Sequence, residues 1–353
     1  MQSSDTEHAL EEVRRARLAG QSVVAFERLI ALLREKPQTG LAWPELASVA
    51  RDCGRVEEAM AECIRAYEAD RELHPALKAL LHLMPDELRA TAAIRRRATK
   101  RFPISIIVCS NDDTGFAAMV ASYRSALAGW PHEVVRIRKA SSLAEGYTRG
   151  AAAATGQVVI FTHDDVELLA ADFGDRLADH LAECDILGVA GATRATGPTW
   201  SFAGWPFLHG LIIYPQGAGY RVAVYSKTVP LACGIRVMDG VFLAMRRDIA
   251  LAVGWDMETC DGFHGYDVDF TLRAAQRGLR LAVASDLGLV HRSYGSFDEN
   301  WVAAARKLIA RHAELNQGRT GTTGPVARDV PSARHAMALV DNWAELGAAR
   351  VRA

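Results

Sequence analysis

No CxxC pair, no apolar run approaching the ~18 residues of a membrane span and no excess of either charge occurs in this 353-residue chain. Each lack removes a class of function. The six cysteines, Cys53, Cys63, Cys109, Cys184, Cys233 and Cys260, are scattered, which argues against a zinc ribbon or a thioredoxin-like redox site and suits a reducing compartment. The opening Met1-Gln2-Ser3-Ser4-Asp5 has neither the basic nor the apolar stretch of a secretion signal. A cytoplasmic setting is expected, at most peripheral at the inner face of the membrane, with no transmembrane segment. Lys plus Arg number 41 against 42 Asp plus Glu, so no overall field draws the chain to nucleic acid. No GxGxxG follows the first strand-like run, and Gly217-Ala218-Gly219 lacks a strand-to-helix context, which disfavours a dinucleotide-dependent dehydrogenase.

What is present falls into two regions. Residues 5 to about 100 are rich in Ala, Leu, Glu and Arg, with apolar positions three and four apart, and read as a row of short helices. Gly20 and Gly54, Ala25 and Ala59, and Ile30 and Ile64 each lie 34 residues apart. That period resembles the tetratricopeptide repeat. The better copy runs from Trp43, Leu46 and Ala47 through Gly54 to Ala59, Cys63 and Ala66, and a third unit begins near Leu77 and Leu80. A non-repetitive helical cap is the other reading. The basic run of Arg95, Arg96, Arg97 and Lys100 reads as a solvated helix end or linker.

After Pro103 the pattern changes. Ile104 to Cys109 is a β-branched strand, Ser110 to Gly115 a polar loop, and a helix follows through Leu127. His132 to Ile137 gives a second strand, Leu143 to Ala154 a helix and Val158 to Thr162 a third strand. Such alternation predicts an α/β fold, an open and mostly parallel sheet with helices on both faces, whose ligands bind beyond the strand ends. At the third strand's end stands His163-Asp164-Asp165, a set suited to hold a divalent ion against a diphosphate, although acidic residues also cap helices.

Three blocks together carry a family resemblance. Ser142 to Gly150 followed by Ala154-Thr155-Gly156 and Val158 to Asp165, then Val237 to Asp248, then Phe263 to Gly278 with the strand Leu281 to Ala284, resemble the family 2 glycosyltransferases over roughly residues 103 to 300. The resemblance implies a GT-A, Rossmann-like domain and an inverting transfer of sugar from a nucleoside diphosphate sugar to a hydroxyl acceptor, with Mn²⁺ or Mg²⁺ as cofactor. His163 stands where the family's metal motif has its first aspartate, Tyr147 where others have Arg, and Tyr266 where the third block has Glu. One branch of the family writes His-x-Asp-Val at the metal motif. The aspartate that usually ends the second strand is replaced by Arg136-Ile137-Arg138-Lys139, which leaves the base of the nucleotide open.

By that resemblance Asp267 is the base that takes the acceptor's proton, and Asp165, His291 and His163 are the metal ligands. Ser110, Asn111, Tyr147, Asp164 and Asp165 would bind the donor. Asp239 and His264 would face the acceptor, with Asp239 equally readable as the acid of an Asp-Gly turn. Asp269 would cap or orient the helix of the third block. Between the first two blocks lie Trp200, Phe202, Trp205, Phe207, His209, Tyr214, Tyr220 and Tyr225. They read as an acceptor loop, with Trp205 its foremost residue, or else as a small satellite core. Residues Trp301 to Leu315 read as an amphipathic helix, Gly318 to Pro331 as a flexible segment and Ser332 to Arg350 as a last helix.

The expected organisation is a tetratricopeptide-like helical domain over 1–100, the transferase domain over 101–317, and the flexible segment and helix over 318–353. The acceptor is a glycan, a lipid-linked or a protein-linked hydroxyl, and the repeats offer a surface for a protein partner. A nucleotidyltransferase would need a glycine-rich basic loop where Ser110-Asn111-Asp112-Asp113 stands. The alternative from another class is a non-catalytic repeat scaffold with a degenerate transferase domain.

Overall fold

The computed structural model describes residues 2–70, 72–84, 101–225, 227–295, 297–320 and 324–351. The basic run over 89–100 lies outside the described residues. They divide into two compact units, one drawn from Met1–Asp86 and Val326–Arg328, the other from Glu87–Pro325 and Asp329–Ala353.

The first unit is all helical: α1 (Gln2–Leu18), α2 (Ser22–Glu35), α3 (Ala42–Cys53), α4 (Val56–Ala69) and α5 (His74–Leu83). Gly20 and Gly54, with φ of +74° and +73°, follow α1 and α3 in the left-handed conformation that glycine adopts without a steric penalty. The chain turns back identically at both: Gly20 N–H and Gly54 N–H donate three residues back, and the next residue's N–H donates five back. Trp43 is fully buried and its indole N–H donates to Pro37 O at 2.9 Å. Ala25, Ala42, Ala50, Ala59 and Ala76 are also fully buried, small residues where helices approach closely.

The second unit begins with β1 (Ile104–Cys109), α6 (Asp113–Ala126), β2 (His132–Ile137), α7 (Leu143–Ala153) and β3 (Val158–Thr162). There follow β4 (Val166–Leu168), α8 (Phe173–Leu181), β5 (Ile186–Gly188), β6 (Ala190–Ala192), β7 (Leu208–Gln216), β8 (Gly219–Val224), β9 (Leu231–Ile235), β10 (Val237–Met238) and β11 (Phe242–Arg246). The chain ends with α9 (Arg247–Val253), α10 (Tyr266–Gln276), β12 (Leu281–Ala284), β13 (Leu289–His291), α11 (Glu299–Arg311), β14 (Val326–Val330) and α12 (Ala333–Val351). The expected α/β class, preceded by a helical region, is thus observed, and the strand–helix alternation read from Ile104 to Thr162 matches the elements.

The main sheet runs β2-β1-β3-β11-β5-β12-β9, and a second runs β10-β6-β7-β13-β4. β1 pairs in parallel with β2 and β3, while β11 enters antiparallel to both β3 and β5. Its Phe242 is paired with Thr162, so the loop just before β11, carrying Asp239 and Gly240, arrives beside the carboxyl end of β3 and His163. In the second sheet β13 pairs antiparallel to β4, with His291 opposite Val166. Those two registers bring three sequence-distant segments to one point.

Glycines fix how closely α7 lies on the sheet. A Cβ at Gly150 would stand 2.2 Å from Ile107 Cγ2 and one at Gly146 2.3 Å from Cys109 Sγ. Gly150→Ala is therefore expected to destabilise: overpacking costs about 1–3 kcal/mol, against a helix-propensity gain of about 1 kcal/mol. A lower urea midpoint at unchanged m-value is the expected reading, and a raised midpoint would show that α7 can lift from β1 freely.

Two expectations are corrected. The segment expected to be flexible over 318–331 contains β14, whose Val326 and Val330 are buried and whose Asp329 accepts from Arg221 at 2.7 and 2.9 Å. Alternation of buried and exposed side chains makes a strand of a stretch that composition alone marked as loop. The aromatic stretch between the first two blocks is not a mobile loop either. It folds into a 3₁₀ turn (Trp200–Ala203) and the β7–β8 hairpin, with Trp200, Trp205 and Tyr225 buried. The last helix docks on the second unit, where Trp343 donates to Lys227 O at 3.1 Å and Asp341 pairs with Arg176 at 2.9 Å. Among the described residues no helix is long and apolar enough to cross a membrane.

Candidate active site and metal centre

β3 is buried along its whole length, so the chain emerges at His163 beyond the sheet's edge. His163, Asp165 and His291 offer ligand atoms that all lie within 4.8 Å of one another. His291 Nε2 stands 3.4 Å from Asp165 Oδ1 and 3.2 Å from Ser293 Oγ, and the two imidazole rings lie 5.5 Å apart. Asp165 Oδ1 is buried and has no hydrogen-bond partner. A buried carboxylate oxygen with no hydrogen bond is costly unless positive charge satisfies it; His291 at 3.4 Å does so when protonated, and a divalent cation held by two imidazoles and this carboxylate would do so in its place. The three residues therefore fit a metal. Burial pushes the Asp165 carboxyl up, yet the adjoining His291 outweighs it and holds the group below the usual carboxylate range. Burial, reinforced by His291, lowers His163.

A cavity of about 310 Å³ opens on this cluster, with His163, His291, Asp239, His264 and Asp267 in its wall. Aromatic rings of Tyr214, Phe263, Tyr294, Phe297 and Trp301 complete it, and Tyr214 and Tyr294 stack with centroids 4.6 Å apart. Asp267 occupies the first turn of α10, which starts after Gly265 at φ +78°. It is half-buried, and desolvation, followed by the neighbouring Asp239 charge, pushes its carboxyl up to about 7. Gly240 N–H donates to Asp267 Oδ2 at 2.9 Å and orients it. Asp239 is itself fixed, with Oδ1 accepting from Val241 N–H at 2.9 Å and Oδ2 from the Trp200 indole at 2.8 Å.

A glycine at 240 is required by its neighbours: a Cβ there would lie 2.2 Å from the Tyr266 hydroxyl and 2.8 Å from Asp267 Cβ. Gly240→Ala should therefore push α10's first turn away from the cluster. The expected result is a folded protein with kcat lowered more than Tm; equal, proportionate loss of both would indicate mere unfolding.

Other expected residues fall elsewhere. Tyr147 is fully buried, its hydroxyl donating to Thr162 O at 3.2 Å, and packs on Phe161, Trp255 and Tyr266, so it supports the site from inside the core and lines neither cavity. Trp205 is 4% exposed with its indole N–H on Gly324 O at 2.9 Å, and it does not line the cavity of about 310 Å³. Ser110 is buried and donates to Asp112 O at 3.0 Å, while Asn111 Oδ1 accepts from Lys139 N–H at 2.9 Å; both shape the loop after β1 and line neither cavity. Asp164 and Asp165 line a second cavity of about 500 Å³ with Asp112, Glu167 and Arg292. Asp269 is fully buried between Arg273 Nε and His312 Nε2, both at 2.8 Å, which makes it a structural anchor of α10. Sequence reading missed Trp200 as the Asp239 partner and Tyr294 and Phe297 as cavity walls, while Tyr214 belongs to the aromatic stretch it named. Only their clustering in a shared aromatic stretch, or exposure after a histidine-bearing strand, hinted at them.

Residues 105–319 match the glycosyltransferase-like family along more than half of the chain. The chain belongs to that family. A curated relative, the protein of open reading frame 6 in the ATP synthase subunits region of Fuscovulum blasticum, is 29% identical over 170 residues. That match covers 46% of this chain and 63% of the relative. Among solved structures, the mannosyltransferase PcManGT of Pyrobaculum calidifontis, in complex with GDP-Man and Mn²⁺, is 13% identical with a TM-score of 0.41, covering 84% of this chain and 86% of its own. GalNAc-T7, with UDP, GalNAc and Mn²⁺, is 14% identical with a TM-score of 0.38, covering 58% and 48%. In this glycosyltransferase-like chain the matched span contains every member of the triad as well as Asp239 and Asp267.

Proposed function

We propose that the chain is a metal-dependent inverting glycosyltransferase that moves a sugar from a nucleoside diphosphate sugar to a hydroxyl acceptor, through a GT-A type domain. The observation that carries this reading is one cavity that holds both edges of a metal-ligand cluster, His163 and His291, and a carboxyl raised to about 7, Asp267. Family membership supplies the reaction class. Asp165, His291 and His163 would hold the ion, Mn²⁺ or Mg²⁺, which when bound offsets the charge that develops on the departing diphosphate.

The chain's own residues do the rest. Asp267 in its ionised form accepts the acceptor hydroxyl's proton as that oxygen forms its bond to the anomeric carbon and the bond to the diphosphate breaks. Attack from the side opposite the leaving group inverts the centre, and no covalent intermediate on the enzyme is required. Asp239 and His264 bond acceptor hydroxyls, and the aromatic walls exclude water and stack on the acceptor's apolar faces. Asp164 and Asp165 contact the donor side.

We read residues 1–100 as tetratricopeptide-like repeats for a protein partner, supported by the matching turns at Gly20 and Gly54. Residues 101–317 are the transferase and 318–353 its C-terminal extension. The setting we assign is cytoplasmic.

Thermal melts against a panel of nucleoside diphosphates and their sugars, with and without Mn²⁺, test the reading. A ligand at a hundredfold excess over Kd stabilises by about 2.7 kcal/mol. A shift requiring both metal and one nucleotide is expected. No shift with any nucleotide, in folded protein, would favour the non-catalytic scaffold.

A further inference from the structure

Exposed aromatic rings are concentrated at one place on this protein. Among the described residues only Phe263, Tyr294 and Phe297 are aromatic and leave more than half of their surface in water, at 55%, 62% and 67%, and all three line the cavity that holds Asp239 and Asp267. They come from two segments, one before α10 and the other between β13 and α11. Exposed rings gathered at a cavity mark a binding surface. Tyr294 stacks on Tyr214 with centroids 4.6 Å apart and planes 15° from parallel, so one of its faces is taken and the other is open. Phe297 meets Trp301 edge to face at 5.1 Å, which props it at the rim.

What the wall lacks narrows the occupant. Among the described residues no Leu, Ile, Val or Met lines it, the side chains that pack along an alkyl chain, and no Lys or Arg is there to meet a phosphate or carboxylate. Its acids are Asp239 and Asp267, with His163, His264 and His291 beside them. His264 Nε2 in turn stands 3.9 Å from Asp298 Oδ1. Arg292, next in sequence to His291, gives its guanidinium to Glu167 at 2.6 Å and lines the other cavity. An anionic acceptor would face two carboxylates with no cationic side chain of its own to pair with.

We propose that the acceptor is an uncharged oligosaccharide, whose terminal ring lies among Asp239, His264 and Asp267 and whose next ring stacks on the rim of Phe263, Tyr294 and Phe297. The inference rests on the transferase reading above and deepens it by naming the acceptor class. A pyranose suits such a wall: its edge carries hydroxyls that bond carboxylates and imidazoles, and its faces carry C–H groups attracted to the negative face of an aromatic ring. A single hydroxyl on a lipid headgroup or a peptide would use the acidic interior and leave the three rings in water.

The test is calorimetric, on the full-length protein, with three sets of probes. The first is neutral mono-, di- and trisaccharides of glucose, mannose, galactose and N-acetylglucosamine; the second is oligogalacturonides of the same lengths; the third is octyl glucoside, which joins a sugar ring to an alkyl chain. At least one neutral series should bind, with its disaccharide about tenfold tighter than its monosaccharide, the order that one or two stacked rings supply. Tyr294→Ala combined with Phe297→Ala should bring disaccharide and monosaccharide to about the same affinity. Tyr294→Phe keeps the ring and should bind as the parent does, which separates stacking from loss of the hydroxyl. Equal affinity for monosaccharide and disaccharide in every neutral series, tighter binding of oligogalacturonides or octyl glucoside than of any neutral disaccharide, or a double variant that still favours the disaccharide would overturn the proposal. Neutral-glycan binding of the expected pattern with no thermal response to any sugar nucleotide would uphold the rim's role and sink the transferase reading. A response to a sugar nucleotide with no neutral glycan bound would sink this inference alone.

Discussion

Asp267→Asn is expected to lower kcat by on the order of a hundred- to ten-thousandfold, the contribution of a positioned general base, while changing donor Kd little. Asn preserves shape and can still accept the Gly240 N–H bond of 2.9 Å, so the loss isolates proton acceptance. The pH profile gives a second reading. The working form is the carboxylate, so kcat/KM in the parent should rise with pH and level off above about 7, where Asp267 titrates. Stability should move the other way. Because the folded pKa lies above the ordinary carboxylate value near 3.9, the native state binds more protons than the unfolded chain between about pH 4 and 7. Its contribution is present below that window and is lost as pH rises through it. The Asn variant escapes this loss, so it should melt higher than the parent at pH 8 and show less difference at pH 5. Near-parental turnover in Asp267→Asn would remove Asp267 from the role of base.

Asp165→Ala is expected to abolish metal binding and turnover together, with an affinity loss beyond the roughly 10–100-fold that removal of an outer partner costs. Asp165 is the sole anion of the triad, so its removal leaves two imidazoles that repel a cation once either is protonated. It also removes the buried oxygen that has no hydrogen-bond partner. Because His291 holds the Asp165 carboxyl below its usual range, the metal-free variant should lose that pair's modest stabilisation at neutral pH, and the larger deficit should appear when Mn²⁺ is added to both. A variant that still binds Mn²⁺ within tenfold of the parent would transfer the ion to other residues and dismantle the cluster read here.

Much of the transferase unit was legible in the chain because its inner strands are continuous apolar runs flanked by polar turns. Ile104 to Cys109, Val158 to Thr162 and Leu281 to Ala284 were read with the bounds they have, since a strand buried on both faces needs no partner to be recognised. Asp267 was singled out by the resemblance of Phe263 to Gly278 to the family's third block, and the fold sets it in the first turn of α10. The failures have a common physical form. Tyr147 and Trp205 are large side chains with one polar atom each, and sequence does not say whether that atom meets a ligand or a backbone carbonyl. In the fold it meets Thr162 O and Gly324 O.

The sequence alone therefore determined local matters: that the apolar runs at Ile104, Val158 and Leu281 are strands, that glycines at 20 and 54 stand in turns between helices, that acids and histidines stand at strand ends. The tertiary structure decided what those residues are to one another. β11 entering antiparallel beside β3, and β13 beside β4, bring 163, 239, 267 and 291 to one cavity, with 165 beside 163 and 291 in the triad. Register between strands far apart in the chain depends on the packing of both sheets at once. No local pattern records that His163 faces Tyr266, or that Gly240 is small for the sake of that tyrosine.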